Sequence, residues 1–190
     1  MKNNRYFAAV KSRLLQVFLP STVFSLAALP SVALAGEHCD AIGQVSGWVK
    51  TVNLNETTQS GFVKLKIRVG GEVFFKRTGV IIGETTSQSI DPNTGLPVTT
   101  LDHSMFFGSL IRLQTSNDQA VLVPTGKLEG GIPGAYCEFN VTETISEAAG
   151  TRRLRSLSND RHNITAEGVV SFCSDNNSNE YALSGTVCLD

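Results

Sequence analysis

Residues 61–69 read Gly-Phe-Val-Lys-Leu-Lys-Ile-Arg-Val, and their alternation decides the fold. Val63, Leu65, Ile67 and Val69 fall on one face and Lys64, Lys66 and Arg68 on the other, the period of two of a half-buried β-strand. Gly70-Gly71 follows as a hairpin turn into Val73-Phe74-Phe75. A strict two-residue turn sets Phe74 opposite Ile67 but Lys76 opposite Leu65, so a bulge or a longer loop is needed to restore the register.

Outward from this hairpin the pattern stays that of strands. Apolar or alternating runs begin at Ile42 and recur at 79–82, 100–107, 110–114, 120–123, 137–144, 164–173 and 181–188. Turn-rich segments separate them: Asp91 to Gly95, Ser116-Asn117-Asp118, Gly130 to Gly134, and Ser174 to Asn179. Only residues 144–150 read as briefly helical. Short strands, polar turns and almost no helix predict an all-β domain, a single antiparallel barrel of about eight strands, with a β-sandwich as the alternative. Glycines at 43, 47, 61, 108, 168 and 185 suit a sheet that must bend sharply.

The chain opens with a different signature. Lys2, Arg5, Lys11 and Arg13 precede an apolar run to Leu34 and the small-residue ending Ala33-Leu34-Ala35, the layout of a cleavable signal peptide over residues 1–35. Pro20 and Pro30 interrupt the run, which disfavours a membrane anchor of roughly 20 unbroken apolar residues. No membrane association is expected after cleavage, and residues 36–190 form one exported domain, secreted or periplasmic. All 17 acidic residues but only 12 of the 16 basic ones lie beyond Ala35, giving the processed chain a formal charge of 12 − 17 = −5. Nucleic acid is not an expected partner, because its backbone demands a basic surface. The cluster Arg152, Arg153, Arg155 and Arg161 reads as a solvated loop.

Cys39, Cys137, Cys173 and Cys188 are an even set in an exported chain, which predicts two disulfides. Zinc sites usually show close pairs of C-x-x-C type, absent here. In a hairpin of residues 164–173 with 181–188, Cys173 and Cys188 lie roughly 20 Å apart at strand rise, far beyond bridging distance. Pairing 137–144 with 164–173 brings Cys137 to Cys173. Cys39 opens the first strand and Cys188 closes the last, and these meet in a closed barrel. The expected bridges are Cys137–Cys173 and Cys39–Cys188.

Asp102-His103 through Thr115, Asp118-Gln119-Ala120-Val121-Leu122-Val123-Pro124, Gly150-Thr151, Gly168-Val169-Val170 and Gly185-Thr186-Val187-Cys188 resemble secreted proteins of the allene-oxide-cyclase and dirigent type. The resemblance covers residues 102–188 and implies an eight-stranded antiparallel barrel with an apolar cavity. Arg152 stands where that family has the second glycine of Gly-Thr-Gly, and no catalytic residue transfers by position.

Few residues invite chemistry. Asp102-His103-Ser104 holds the residue types of a hydrolase triad, but neighbours in a strand point to opposite faces, so His103 cannot align with either. If His103 lines a pocket, Glu138 or Glu143 from another strand are its candidate partners as a general base. His162 reads as a loop residue. Cleavage after Ala35 exposes Gly36-Glu37-His38, an amine with a third-position histidine that suits square-planar Cu(II) or Ni(II) through Gly36 and His38. The Asn-x-Ser/Thr sites at Asn55, Asn140, Asn163 and Asn176 are incidental if the leader is bacterial, as its basic, polar start suggests. No EF-hand spacing points to calcium, and no cofactor is expected.

Three functions fit. The leading one is a non-catalytic exported barrel binding a small apolar ligand or a surface partner, with Trp48, Phe74, Phe107 and His103 as candidate lining. The second is an isomerase or cyclase acting inside the cavity, which a His or Glu facing it favours. The third is a structural or adhesive component, favoured by a solid core and an unpaired strand.

Overall fold

The computed structural model describes residues 39–190, so the leader and the candidate copper ligands Gly36 and His38 lie outside the described residues. Nine strands follow one another: β1 (Ala41–Asn53), β2 (Thr58–Val69), β3 (Glu72–Ile90), β4 (Pro97–Phe107), β5 (Ile111–Pro124), β6 (Glu138–Ile145), β7 (Glu147–Gly150), β8 (Asn163–Ser171) and β9 (Ser178–Leu189). Eight of them close an antiparallel barrel in the order β1-β2-β3-β4-β5-β6-β8-β9, with β9 returning to β1. The short β7 lies outside that cycle and pairs with β5.

The opening hairpin carries the bulge that its register requires. Val69 faces Glu72 and Arg68 faces Val73, but Ile67 faces Phe75, so Phe74 is the extra residue. Ile67 and Phe75 are thereby both turned inward and buried. Gly70 and Gly71, at φ 57° and 86°, adopt the left-handed turn conformation that side chains resist.

Two sequence expectations are corrected. Residues 144–150 are not helical: Thr144 and Ile145 end β6, and Glu147–Gly150 is β7. The helical turn comes just after it, a 3-10 segment at Arg152–Leu157 that drives Leu154 and Leu157 into the core. Arg152 enters it at φ 55°, the left-handed conformation that glycine adopts freely. Ser116-Asn117-Asp118 is likewise not a turn between strands but a bulge within the single strand β5.

Both disulfides form as the strand pairing requires. Cys137 and Cys173 bridge the start of β6 to the segment after β8, and Cys39 and Cys188 bridge the first and last strands, with Cα separations of 4.9 and 5.3 Å. Among the described residues no helix is long and apolar enough to cross a membrane. Two disulfides fit an oxidising compartment.

The interior is divided. Val45, Val63, Leu65, Ile67, Phe75, Met105, Phe107, Leu113, Leu154, Leu157 and Leu183 belong to a large packed cluster. Leu101, Ala120, Val141 and Val170 form a smaller one.

Candidate functional site

Between the two apolar clusters lies a layer of polar side chains, and its positions follow from strand parity. On β4, Leu101, His103, Met105 and Phe107 alternate inward. On β5, Leu113 and Thr115 point inward, and unbroken alternation would then turn Asp118 out to solvent. Instead, Leu101 pairs with Asp118 and His103 with Thr115, so Ser116 and Asn117 together oppose Asp102 alone. Asn117 takes φ 58°, and its N–H donates to Asp102 Oδ1 at 3.0 Å. This bulge reverses the parity of β5 and turns Asp118 into the barrel, where it is fully buried.

Asp118 meets His103 there. Its Oδ2 lies 2.9 Å from His103 Nδ1 and also accepts from the Thr115 hydroxyl. Glu143, inward on β6, brings Oε1 to 3.4 Å from the same Nδ1, without hydrogen-bond geometry. Two carboxyl oxygens in this buried cluster have no hydrogen-bond partner, Asp118 Oδ1 and Glu143 Oε1. Gly83 faces His103 from β3, and a Cβ there would stand 2.9 Å from His103 Cδ2, so the imidazole occupies the space that glycine leaves.

Burial sets the protonation of this group. It pushes the Glu143 carboxyl above the usual carboxylate range, opposed by His103. On the His103 imidazole, burial pushes down, but the charge of Glu143 and the hydrogen bond and charge of Asp118 push up and prevail. Both shifts run in the same direction, so His103 and Glu143 each hold a proton more tightly than the free side chain would.

Glu143 also faces a cavity of about 80 Å³ at the end of the barrel that holds the smaller cluster. Its walls are Leu101, Ala120, Leu122, Val141 and Val170; Tyr181 lines it beside Glu143; Asn55, Glu56, Thr57, Gln88 and Phe172 form its exposed rim. Tyr181 shares a hydrogen bond with Gln59, while burial and the nearby Glu143 charge raise its phenol pKa. Around Gln59 runs a polar network. Thr51 Oγ1 donates to Gln59 Oε1 at 2.6 Å, and Asn179 Nδ2 lies 2.8 to 3.1 Å from the side-chain oxygens of Asn53, Thr51 and Gln59.

The candidate lining residues separate. His103 lies at the centre of the cluster, with Glu143 beside it. Glu138, its other candidate partner, instead accepts from Thr125 on the same side of the barrel wall as its exposed neighbours. Phe107 packs edge-to-face on Phe75 in the solid core, ring centroids 5.1 Å apart, and Phe74 leans on that core from the bulge. Trp48 is 42% exposed on the outer face of β1, so these aromatic residues share no cavity with Glu143. Asp102 and Ser104 turn away from His103, Asp102 to the bulge and Ser104 to Arg112. His162 lies in the loop before β8, as expected, but is buried there: its Nδ1 accepts from the Cys188 N–H at 3.2 Å and its Nε2 lies 2.9 Å from Leu157 O.

Asp118 and Tyr181 escaped sequence reasoning. The signal for Asp118 was the Ser-Asn-Asp string, whose turn propensity serves a bulge as well as a loop. Comparison with protein families, characterised proteins and solved structures finds no match for this chain.

Proposed function

We propose that the protein binds a small, largely apolar molecule bearing one polar group, with its apolar part in the barrel-end cavity and its polar group at Glu143 and Tyr181. The observation that carries this reading is an apolar-walled cavity whose floor presents a buried carboxyl with an unpartnered oxygen. At roughly 10–15 Å³ per water, a volume of about 80 Å³ holds a ring or the end of a chain, and the polar rim receives the remainder. The basic leader and the two disulfides support an exported protein working in the periplasm or outside the cell. Kinship with the allene-oxide-cyclase and dirigent type belongs to the same proposal, and the closed eight-strand barrel with one hollow end supports it.

A second reading, an isomerase or cyclase acting in the cavity, is favoured by Glu143 itself. A carboxyl that burial makes hold its proton more tightly than usual, beside an apolar pocket, is suited to general acid work.

Native mass spectrometry of the processed protein from its own host tests the binding reading. A retained small molecule, lost in Ala120→Leu because the longer side chain fills the cavity, is the expected result. Retention undiminished in Ala120→Leu would overturn it. Conversion of the released molecule by fresh protein, abolished in Glu143→Gln, would select the catalytic reading.

A further inference from the structure

We propose that His103, Asp118 and Glu143 bind one divalent first-row transition cation, of the Zn²⁺ or Mn²⁺ type, in the interior of the barrel. The assignment stands on the cluster alone and does not require the cavity to bind anything. One ligand atom from each residue, imidazole Nδ1 and two carboxyl oxygens, lies within 4.8 Å of the others. His103 Nδ1 stands 2.9 Å from Asp118 Oδ2, a hydrogen bond that ligation would replace, and 3.4 Å from Glu143 Oε1, the separation of two atoms gathered around a shared ion. With metal–ligand bonds of about 2.0–2.2 Å, neighbouring ligands stand roughly 3.0–3.6 Å apart.

Two further observations point to the ion. Asp118 Oδ1 and Glu143 Oε1 are buried acceptors without a hydrogen-bond partner, in a cluster whose side chains are 6% exposed or less. A buried acceptor with nothing to accept from is costly, and a cation would satisfy both at once. The Thr115 hydroxyl, meanwhile, holds Asp118 by Oδ2, leaving Oδ1 as the free donor atom. Such an outer hydrogen bond commonly fixes a ligating carboxylate.

Charge and donor type set the ion. A neutral imidazole and two carboxylates around a divalent ion sum to zero, and the ion displaces the protons that His103 and Glu143 carry, which are released to solvent. One nitrogen and two oxygens suit Zn²⁺, Mn²⁺ or Fe²⁺ rather than thiolate-seeking Cu⁺ or the many-oxygen shell of Ca²⁺. Three protein ligands leave a position for water or for the polar end of a molecule in the cavity that Glu143 borders.

The test uses the processed full chain stripped with EDTA, then titrated with Co²⁺ as a coloured probe and loaded with Zn²⁺ or Mn²⁺ for elemental analysis. A single ion per chain and a visible Co²⁺ band are expected. Glu143→Gln should weaken binding at least about tenfold, whereas His38→Ala should leave it unchanged, separating this site from a third-position histidine at the N-terminus. Absence of the band, undiminished binding in Glu143→Gln, or loss of binding in His38→Ala would each overturn the proposal. Thermal unfolding of the wild-type chain gives a readout independent of any variant. The melting temperature should rise and saturate near one equivalent of Zn²⁺, and no rise would equally overturn it.

Discussion

Removing either of two carboxyl groups from the same buried cluster should have opposite consequences, because only one of them is hydrogen-bonded. Asp118 accepts from Thr115 and sits 2.9 Å from His103 Nδ1 at zero exposure. Asp118→Ala leaves the imidazole with only Glu143, at 3.4 Å and badly oriented, and leaves the Thr115 hydroxyl without its acceptor. Breaking one side of a buried charged pair costs about 3–5 kcal/mol. Glu143 contributes no hydrogen bond through Oε1, and an unsatisfied buried acceptor costs about 1–3 kcal/mol. Glu143→Leu removes that cost and fills similar volume, so in metal-free protein its effect should run from neutral to a gain of about 2 kcal/mol.

For a domain of this size 1 kcal/mol moves the melting temperature by about 2–4 °C. Asp118→Ala should therefore melt roughly 6–20 °C lower, while Glu143→Leu should melt at the wild-type temperature or several degrees above it. Thermal and urea unfolding in EDTA, with the disulfides intact, measure both. Glu143→Leu falling as far as Asp118→Ala would refute the reasoning, since Glu143 would then be a structural partner of His103 rather than a group held in readiness.

His162 provides a pH dependence with a defined sign: burial lowers its pKa, so the folded state binds fewer protons than the unfolded state below about pH 6.5, and stability is lost as the pH drops through that range. His162→Gln should flatten the acid limb of urea midpoints measured against pH, and an unchanged limb would assign the loss to other groups. Asn117→Gly should keep the bulge at a cost of a few tenths of a kcal/mol, whereas Asn117→Val, strained at positive φ, should cost about 1–3 kcal/mol by chemical denaturation. Cys137→Ser with Cys173→Ser opens a bridge spanning 36 residues, and Cys39→Ser with Cys188→Ser one spanning 149. Chain entropy assigns them roughly 4 and 5 kcal/mol, so the second pair should lower the urea midpoint more.

Much of the barrel was legible because its signals are local or arithmetical. Gly61 to Val69 shows its buried face by alternation, and the mismatch at Lys76 calls for a bulge or a longer loop, which the structure supplies as a bulge at Phe74. The disulfides followed from strand rise and from the meeting of first and last strands. The site was legible only in part. His103 could be separated from Asp102 and Ser104 by parity and given Glu138 or Glu143 as candidate partners, but Asp118 lies beyond an inversion of parity that sequence periodicity cannot locate. Trp48 and Phe107 misled for a related reason: hydrophobicity says that a ring seeks burial, not which side of a closed wall it occupies.

The divided interior ties these features into one argument. At one end the barrel is filled, with Leu154 and Leu157 of the 3-10 segment joining the large core and Cys39–Cys188 bridging the strand ends beside Leu189. At the other, a cavity replaces side chains that would have supplied packing energy. What remains there is polar and covalent: the Asn179 network ties β1, β2 and β9 together, the Ser171 N–H donates to Asn179 Oδ1 at 3.1 Å, and Cys137–Cys173 links β6 to the chain leaving β8. A barrel selected for stability alone would fill that end with leucine and dispense with Glu143. Keeping it hollow, braced around its rim, with an unsatisfied acid at the floor, sacrifices stability at the place where a ligand or an ion would restore it.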